Sequence, residues 1–138
     1  MESVRNAKKK KEKIMEFSFL VAQTESLADY QLIGNLMDKE SANDLVNSFE
    51  EKLNDGITYF VFNLEEMSYL NSTGLNVLIG LLTKVRNSGG ELIICNVPKK
   101  INQLLLITKL NTVFNVAMST NEAKNIIEKE INSNVSDN

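Results

Sequence analysis

The chain has 138 residues, 43% hydrophobic and 24% charged, with a formal net charge of −3; these totals fit one folded domain and exclude bulk disorder, a fibrous class and a general nucleic-acid binder, which needs a basic face to displace counterions. It contains no histidine and one cysteine, Cys95, which excludes a Ser-His-Asp triad, a histidine-ligated zinc, a cysteine-rich metal site and a disulfide framework. The glycine signatures of phosphate-binding loops, dinucleotide folds and nucleophile elbows are also missing, so the expectation is a protein that is not an enzyme and carries neither metal nor cofactor.

Residues 1–14 are polar and basic, with Arg5, Lys8 to Lys11 and Lys13 in a cluster, and read as a flexible tail. They lack the pattern of a signal peptide, and the apolar runs of the chain fall far short of the ~18 residues of a membrane helix. A cytoplasmic protein without membrane insertion is expected.

FSFLVAQ, from Phe17 to Gln23, and ADYQLIG, from Ala28 to Gly34, read as strands of an antiparallel hairpin around the polar Thr24-Glu25-Ser26. DKESANDLVNSFEEKLNDG then places Ala42, Leu45, Val46, Phe49 and Leu53 at intervals of three and four, one apolar stripe on a helix that stops near Gly56. ITYFVFNL, from Ile57 to Leu64, is almost continuously apolar, which fits a strand covered on both faces. EEMSY reads as a connection.

In YLNSTGLNVL, Ser72 and Thr73 precede a glycine and a helix that carries Leu75, Leu78, Ile79, Leu82 and Val85. Either hydroxyl can cap that helix. Gly89 and Gly90 supply the left-handed exit at its end. ELIICNV is a buried strand with Cys95 as a small core residue. Pro98 stands in the first turn of a helix through KKINQLLLITKL, where Leu104 to Leu106 and Ile107 cannot all face inward. VFNVAM is a short strand. Ser119 and Glu122 form a capping box for a last helix with Ala123, Ile126, Ile127 and Ile131. Residues 132–138 read as a second flexible tail.

The order β-β-α-β-α-β-α-β-α, with short strand-helix-strand units, predicts parallel neighbours and right-handed crossovers. The fold class is therefore α/β, a small mixed β-sheet packed by about four helices, over residues 15–131. In open sheets of this kind, partners meet the rim at the carboxyl ends of the strands, where the Ser72 turn lies. The helix N-terminus carries about half a unit of positive charge, so a phosphate on Ser72 is tolerated there, and Gly74 lets another backbone approach. Ser72 is the candidate modification site, with Thr73 as second choice.

The run from Tyr59 to Ile127 resembles the STAS domain family, specifically the bacterial anti-sigma factor antagonists. Ser72-Thr73-Gly74-Leu75, Gly89-Gly90, the series Leu106, Leu110 and Phe114, and Glu122-Ala123 stand in the family's order and rough spacing. LIGNLMDKESANDLV is similar to the family's G-x-L-D segment, and the likeness covers about residues 16–131. The resemblance implies a switch. Ser72 would be phosphorylated by an anti-sigma factor with serine kinase activity, and a PP2C-type serine phosphatase would remove the phosphate. The unmodified protein would bind the anti-sigma factor through Met37, Asp38, Asn71, Ser72, Thr73, Gly74 and Leu75 and so free the sigma factor. The same resemblance allows a non-switching scaffold or accessory subunit, in a stressosome-like or lipid-transport complex. Three departures bear on that choice: Asn71 and Asn63 stand where the family has Asp, and Met37 takes the acidic position one step before Asp38.

Overall fold

The computed structural model describes residues 16–136; the basic cluster expected as a tail over residues 1–14 lies outside them. Strands β1 (Ser18–Gln23) and β2 (Leu27–Leu36) form the antiparallel hairpin, with Ser18 opposite Ile33 and Gln23 opposite Ala28. Burial alternates along β2, with Ala28, Tyr30, Leu32, Gly34 and Leu36 buried and the residues that alternate with them half-buried, as the period of a pleated strand requires. Helix α1 (Lys39–Asn54) leads to β3 (Tyr59–Leu70), α2 (Ser72–Asn87) to β4 (Glu91–Cys95), and α3 (Lys99–Ile107), through a 3-10 turn (Leu110–Thr112), to β5 (Asn115–Ala117). Helix α4 (Thr120–Ser136) follows. The sheet order is β1-β2-β3-β4-β5, and only the β1–β2 pair is antiparallel. This is the expected mixed α/β architecture in the expected element order.

The sheet separates two unequal cores. Helices α1, α2 and α3 bury one face, where Tyr30, Phe49, Phe60 and Phe62 meet Leu45, Leu78 and Leu82. Phe49 stacks on Phe60 with ring centroids 4.0 Å apart and meets Phe62 edge-on; each such ring contributes about 1.5–3 kcal/mol by leaving water. The Tyr30 hydroxyl is satisfied by Ser48 Oγ at 2.6 Å. The smaller core lies under α4, with Tyr59, Val61, Ile93, Cys95, Ala123 and Ile127. Neighbouring residues of β3 thus serve opposite cores, which is why ITYFVFNL carries no polar alternation. Cys95 is buried there, and burial raises its thiol pKa.

Several local details differ from the sequence-based expectation. EEMSY is not a connection: β3 continues through it to Leu70, paired with β2 as far as Leu36. Two register shifts, between Gln31 and Ile33 and between Gly34 and Asn35, hide the period of two, and Gly34 takes a left-handed φ of 89° there. Pro98 precedes α3 rather than entering its first turn, in extended conformation with φ −60° and ψ 152°. Helix α4 runs to Ser136, beyond the limit at residue 131, because NSNVS contains neither Gly nor Pro to stop it. Its start is capped as expected, Ser119 Oγ accepting from the Glu122 N–H at 3.1 Å, but the Glu122 carboxylate reaches the N–H of Met118 rather than that of Ser119. Among the described residues no helix is long and apolar enough to cross a membrane.

The glycine pair after α2 divides its work. Gly89 has the left-handed φ of 83° that ends the helix. Gly90 does not; a Cβ on it would lie 1.7 Å from the carbonyl oxygen of Thr58, so β4 can begin beside β3 only without a side chain there. Gly90→Ala should therefore cost about 3 kcal/mol of stability, at the upper end for overpacking. Urea denaturation checks this, and an unchanged midpoint would show that the Thr58 backbone yields freely.

Candidate functional site

Strands β2 and β3 are parallel and end together, Leu36 opposite Leu70. Each passes almost at once into a helix, β2 through Met37 and Asp38 into α1, β3 through Asn71 into α2. Two helix N-termini consequently stand side by side at one rim of the sheet. One hydrogen bond ties them: Asn71 Nδ2 donates to the Met37 carbonyl at 3.0 Å.

Each helix has its own cap. Asp38 accepts from the Ser41 N–H at 2.7 Å and from Ser41 Oγ at 2.8 Å, and these bonds lower its carboxyl pKa below the ordinary value. On α2 the cap is Asn71, whose Oδ1 accepts from the Gly74 N–H at 3.0 Å while its carbonyl accepts from Leu75 N–H at 2.9 Å. The expectation that Ser72 or Thr73 caps this helix is corrected. Asn71 is the last extended residue, with φ −102° and ψ −172°, and a cap must precede the first helical residue, which is Ser72. An amide at position 71 both accepts and donates; a carboxylate could cap α2 but could not also donate to Met37.

Packing fixes the turn from below. A Cβ on Gly74 would lie 2.0 Å from the Leu36 carbonyl oxygen, so the first turn of α2 sits directly on the end of β2. Leu75 is 3% exposed and belongs to the larger core with Leu36 and Leu70. Gly74 and Leu75, expected among the partner contacts, are thus buried and position the turn from beneath. The surface around it comes from Met37, 42% exposed, Tyr69, 46% exposed, and the exposed Asp38 and Ser72, with Asn71 and Thr73 half-buried. Tyr69 was legible only as a residue beside the motif; the continuation of β3 brings it to this rim.

The Ser72 hydroxyl makes no hydrogen bond with the described residues, and the first N–H groups of α2 point outward without intrahelical acceptors. A neutral alcohol therefore stands on a capped, electropositive helix end at the rim of the sheet. Asn63 lies elsewhere, since its Oδ1 accepts from the Glu65 N–H at 3.0 Å and from Asn96 Nδ2 at 3.2 Å, shaping the irregular part of β3. In α3, Leu105 is buried while Leu106 and Ile107 face outward. Among the described residues no cluster of three or more His, Cys, Asp or Glu side chains could hold a metal ion.

The STAS domain profile matches residues 18–123. An anti-sigma-B factor antagonist of Staphylococcus aureus is 31% identical over 88 residues, which cover 64% of this chain and 82% of that relative. Among solved structures, an anti-sigma factor antagonist from Mycobacterium paratuberculosis has a TM-score of 0.70 at 18% identity, covering 81% of this chain and 94% of its own. The Bacillus cell fate determinant SpoIIAA in its phosphorylated form has a TM-score of 0.64 at 18% identity, covering 80% and 99%. At such identities the two structures show a shared fold.

Two outcomes test the turn. Asn71→Ala should lose the cap and the tie, about 1–3 kcal/mol together, whereas Asn71→Asp should lose the tie alone, about 0.5–1.5 kcal/mol; urea midpoints that do not fall in this order would deny the double role. The second concerns pH. Because the folded-state pKa of Asp38 is lowered, its contribution is complete above the unfolded value of about 3.9 and fades as pH falls through the folded value. The stability gap between wild type and Asp38→Ala should accordingly narrow on acidification, and a gap constant with pH would show that the charge contributes nothing.

Proposed function

The chain belongs to the STAS domain family, in its anti-sigma factor antagonist group, and we propose that it acts as a phosphorylation-controlled switch in the cytoplasm: with Ser72 bare it docks on an anti-sigma factor, and with Ser72 phosphorylated it does not. The observation that carries this reading is the placement of Ser72. It is the first residue of α2 and is exposed, and its hydroxyl is not used by the fold because Asn71 supplies the cap. Esterification at its Oγ leaves cap, sheet and core in place.

The energetics fit a switch of binding rather than of folding. A phosphate adds about −1.5 to −2 charges at a helix end of opposite sign, so the domain tolerates it. A partner closed over Met37, Ser72 and Tyr69 would have to desolvate that dianion, and a loss of ~3 kcal/mol is more than a hundredfold in affinity. The anti-sigma factor would supply serine kinase activity, passing the terminal phosphoryl group of ATP to Ser72 Oγ as the hydroxyl proton departs and ADP is released. A PP2C-type phosphatase would hydrolyse the ester. Support for the partner class comes from the Staphylococcus aureus relative, named as an antagonist of an anti-sigma-B factor, and support for the chemistry from the fold neighbour solved in a phosphorylated form.

Asn71 needs no loss of phosphorylation to account for it, since its amide donates to the Met37 carbonyl, a bond that a carboxylate in its place would forgo; Asn63 only accepts, through Oδ1, bonds that a carboxylate would accept too. The test uses the serine-kinase anti-sigma factors encoded in the source genome, ATP, intact-mass analysis and a binding assay. Wild type should gain one phosphoryl group at Ser72 and dissociate. Ser72→Ala should bind permanently, and Ser72→Asp should stay folded but bind at least tenfold more weakly, about 1.4 kcal/mol. Absence of phosphate on Ser72, or equal binding by all three forms, would leave the non-switching scaffold in its place.

A further inference from the structure

Beside the Ser72 turn a groove of about 360 Å³ runs between α1 and α2. Its floor is apolar, from Ala42, Val46, Val77 and Leu81, and Thr73 and Lys39 line it too, with Lys84 further along α2. Gly80, in the interior of α2, opens it. Glycine is the least favourable residue in a helix interior after proline, so its presence needs a reason. Every other glycine of the chain has one within the fold, either a left-handed φ or backbone atoms closer than 3 Å to a built Cβ. Gly80 has neither: its backbone is helical, it is exposed, and a Cβ there would meet nothing within 4 Å. No contact within the described residues accounts for the missing side chain.

We infer that this groove is a second docking element for the anti-sigma factor and takes a segment of that partner with an apolar side chain over Gly80 and a carboxylate beside Lys39. The inference rests on the reading of Ser72 as a docking turn, and Thr73 makes the two surfaces continuous. Charge selects the occupant. In a chain of net charge −3, this groove is lined by two lysines and no carboxylate. Lys84 is already paired with Glu50, whereas Lys39 makes no ion pair with the described residues. An apolar side chain on Val46 and Val77 supplies burial, and the Lys39 pair supplies orientation and salt sensitivity.

The experiment measures binding of full-length variants to the anti-sigma factor that modifies Ser72, at low and high salt, beside Ser72→Asp. Gly80→Leu should keep or raise the urea midpoint, because nothing crowds its Cβ, yet weaken binding at least tenfold. Lys39→Glu should weaken binding and flatten its salt dependence. If both variants bind as wild type does while Ser72→Asp does not, the groove proposal fails and the Ser72 reading stands. If wild type binds none of the anti-sigma factors of its genome, both fail. If Gly80→Leu instead changes the sedimenting mass of the protein alone, the groove holds a second copy of this chain, and the partner proposal is overturned.

Discussion

The approach of the first turn of α2 to the Leu36 carbonyl is the constraint on which the rest of the rim depends. Only a residue without Cβ fits between them, and Gly74 occupies that place. With this contact made, the end of β2 supports the start of α2, Leu36, Leu70 and Leu75 close the core beneath, and Ser72 is left at the surface with no structural duty. The serine is available for chemistry because its neighbours on both sides, Asn71 and Gly74, hold the turn without it.

The two helix N-termini are electrostatically unlike. Asp38 brings a full charge to α1, and its oxygens are committed to Ser41. Asn71 brings none to α2 and uses its amide to bind the first terminus to the second. A carboxylate at position 71 would repel a phosphate on the adjacent residue; the amide leaves the positive end of α2 uncompensated. The departure from the family's usual Asp thus favours tolerance of a phosphate there, while the Met37 tie joins the two termini. The proposed switch at Ser72 would then alter what can dock and leave the domain itself unchanged.

Stability and recognition are drawn from different parts of the molecule. The aromatic cluster of Tyr30, Phe49, Phe60 and Phe62 lies on the face covered by α1, α2 and α3, and the smaller core under α4 holds the other face. Neither core uses the hydroxyl of Ser72, and Gly80 belongs to neither. The exposed chemistry at the rim can therefore vary in affinity without drawing on the contacts that keep the sheet folded.

Much of this was legible in the residues alone. The stripe of Ala42, Leu45 and Phe49, the hairpin, the double-faced run at Phe60 and Phe62, and the Ser119 cap are local patterns, written in spacings that a single helix or strand must satisfy, and all reappear in the fold. The exposed serine before Gly74 could likewise be singled out from its own neighbours. What tertiary structure decided was whatever depends on a second segment. Two shifted pairings with β2 carry β3 through Glu65 and Glu66 to Leu70, and no period in β3 itself records them. Asn71 rather than Ser72 became the cap because the chain stays extended until it passes Met37, thirty-four positions away in sequence. Gly74, Leu75 and Gly90 took their roles from carbonyls or cores supplied by other strands, and Gly80 stands out only when the space around it is known to be empty. Local periodicity is a property of one element, whereas distance between elements exists only after they have packed.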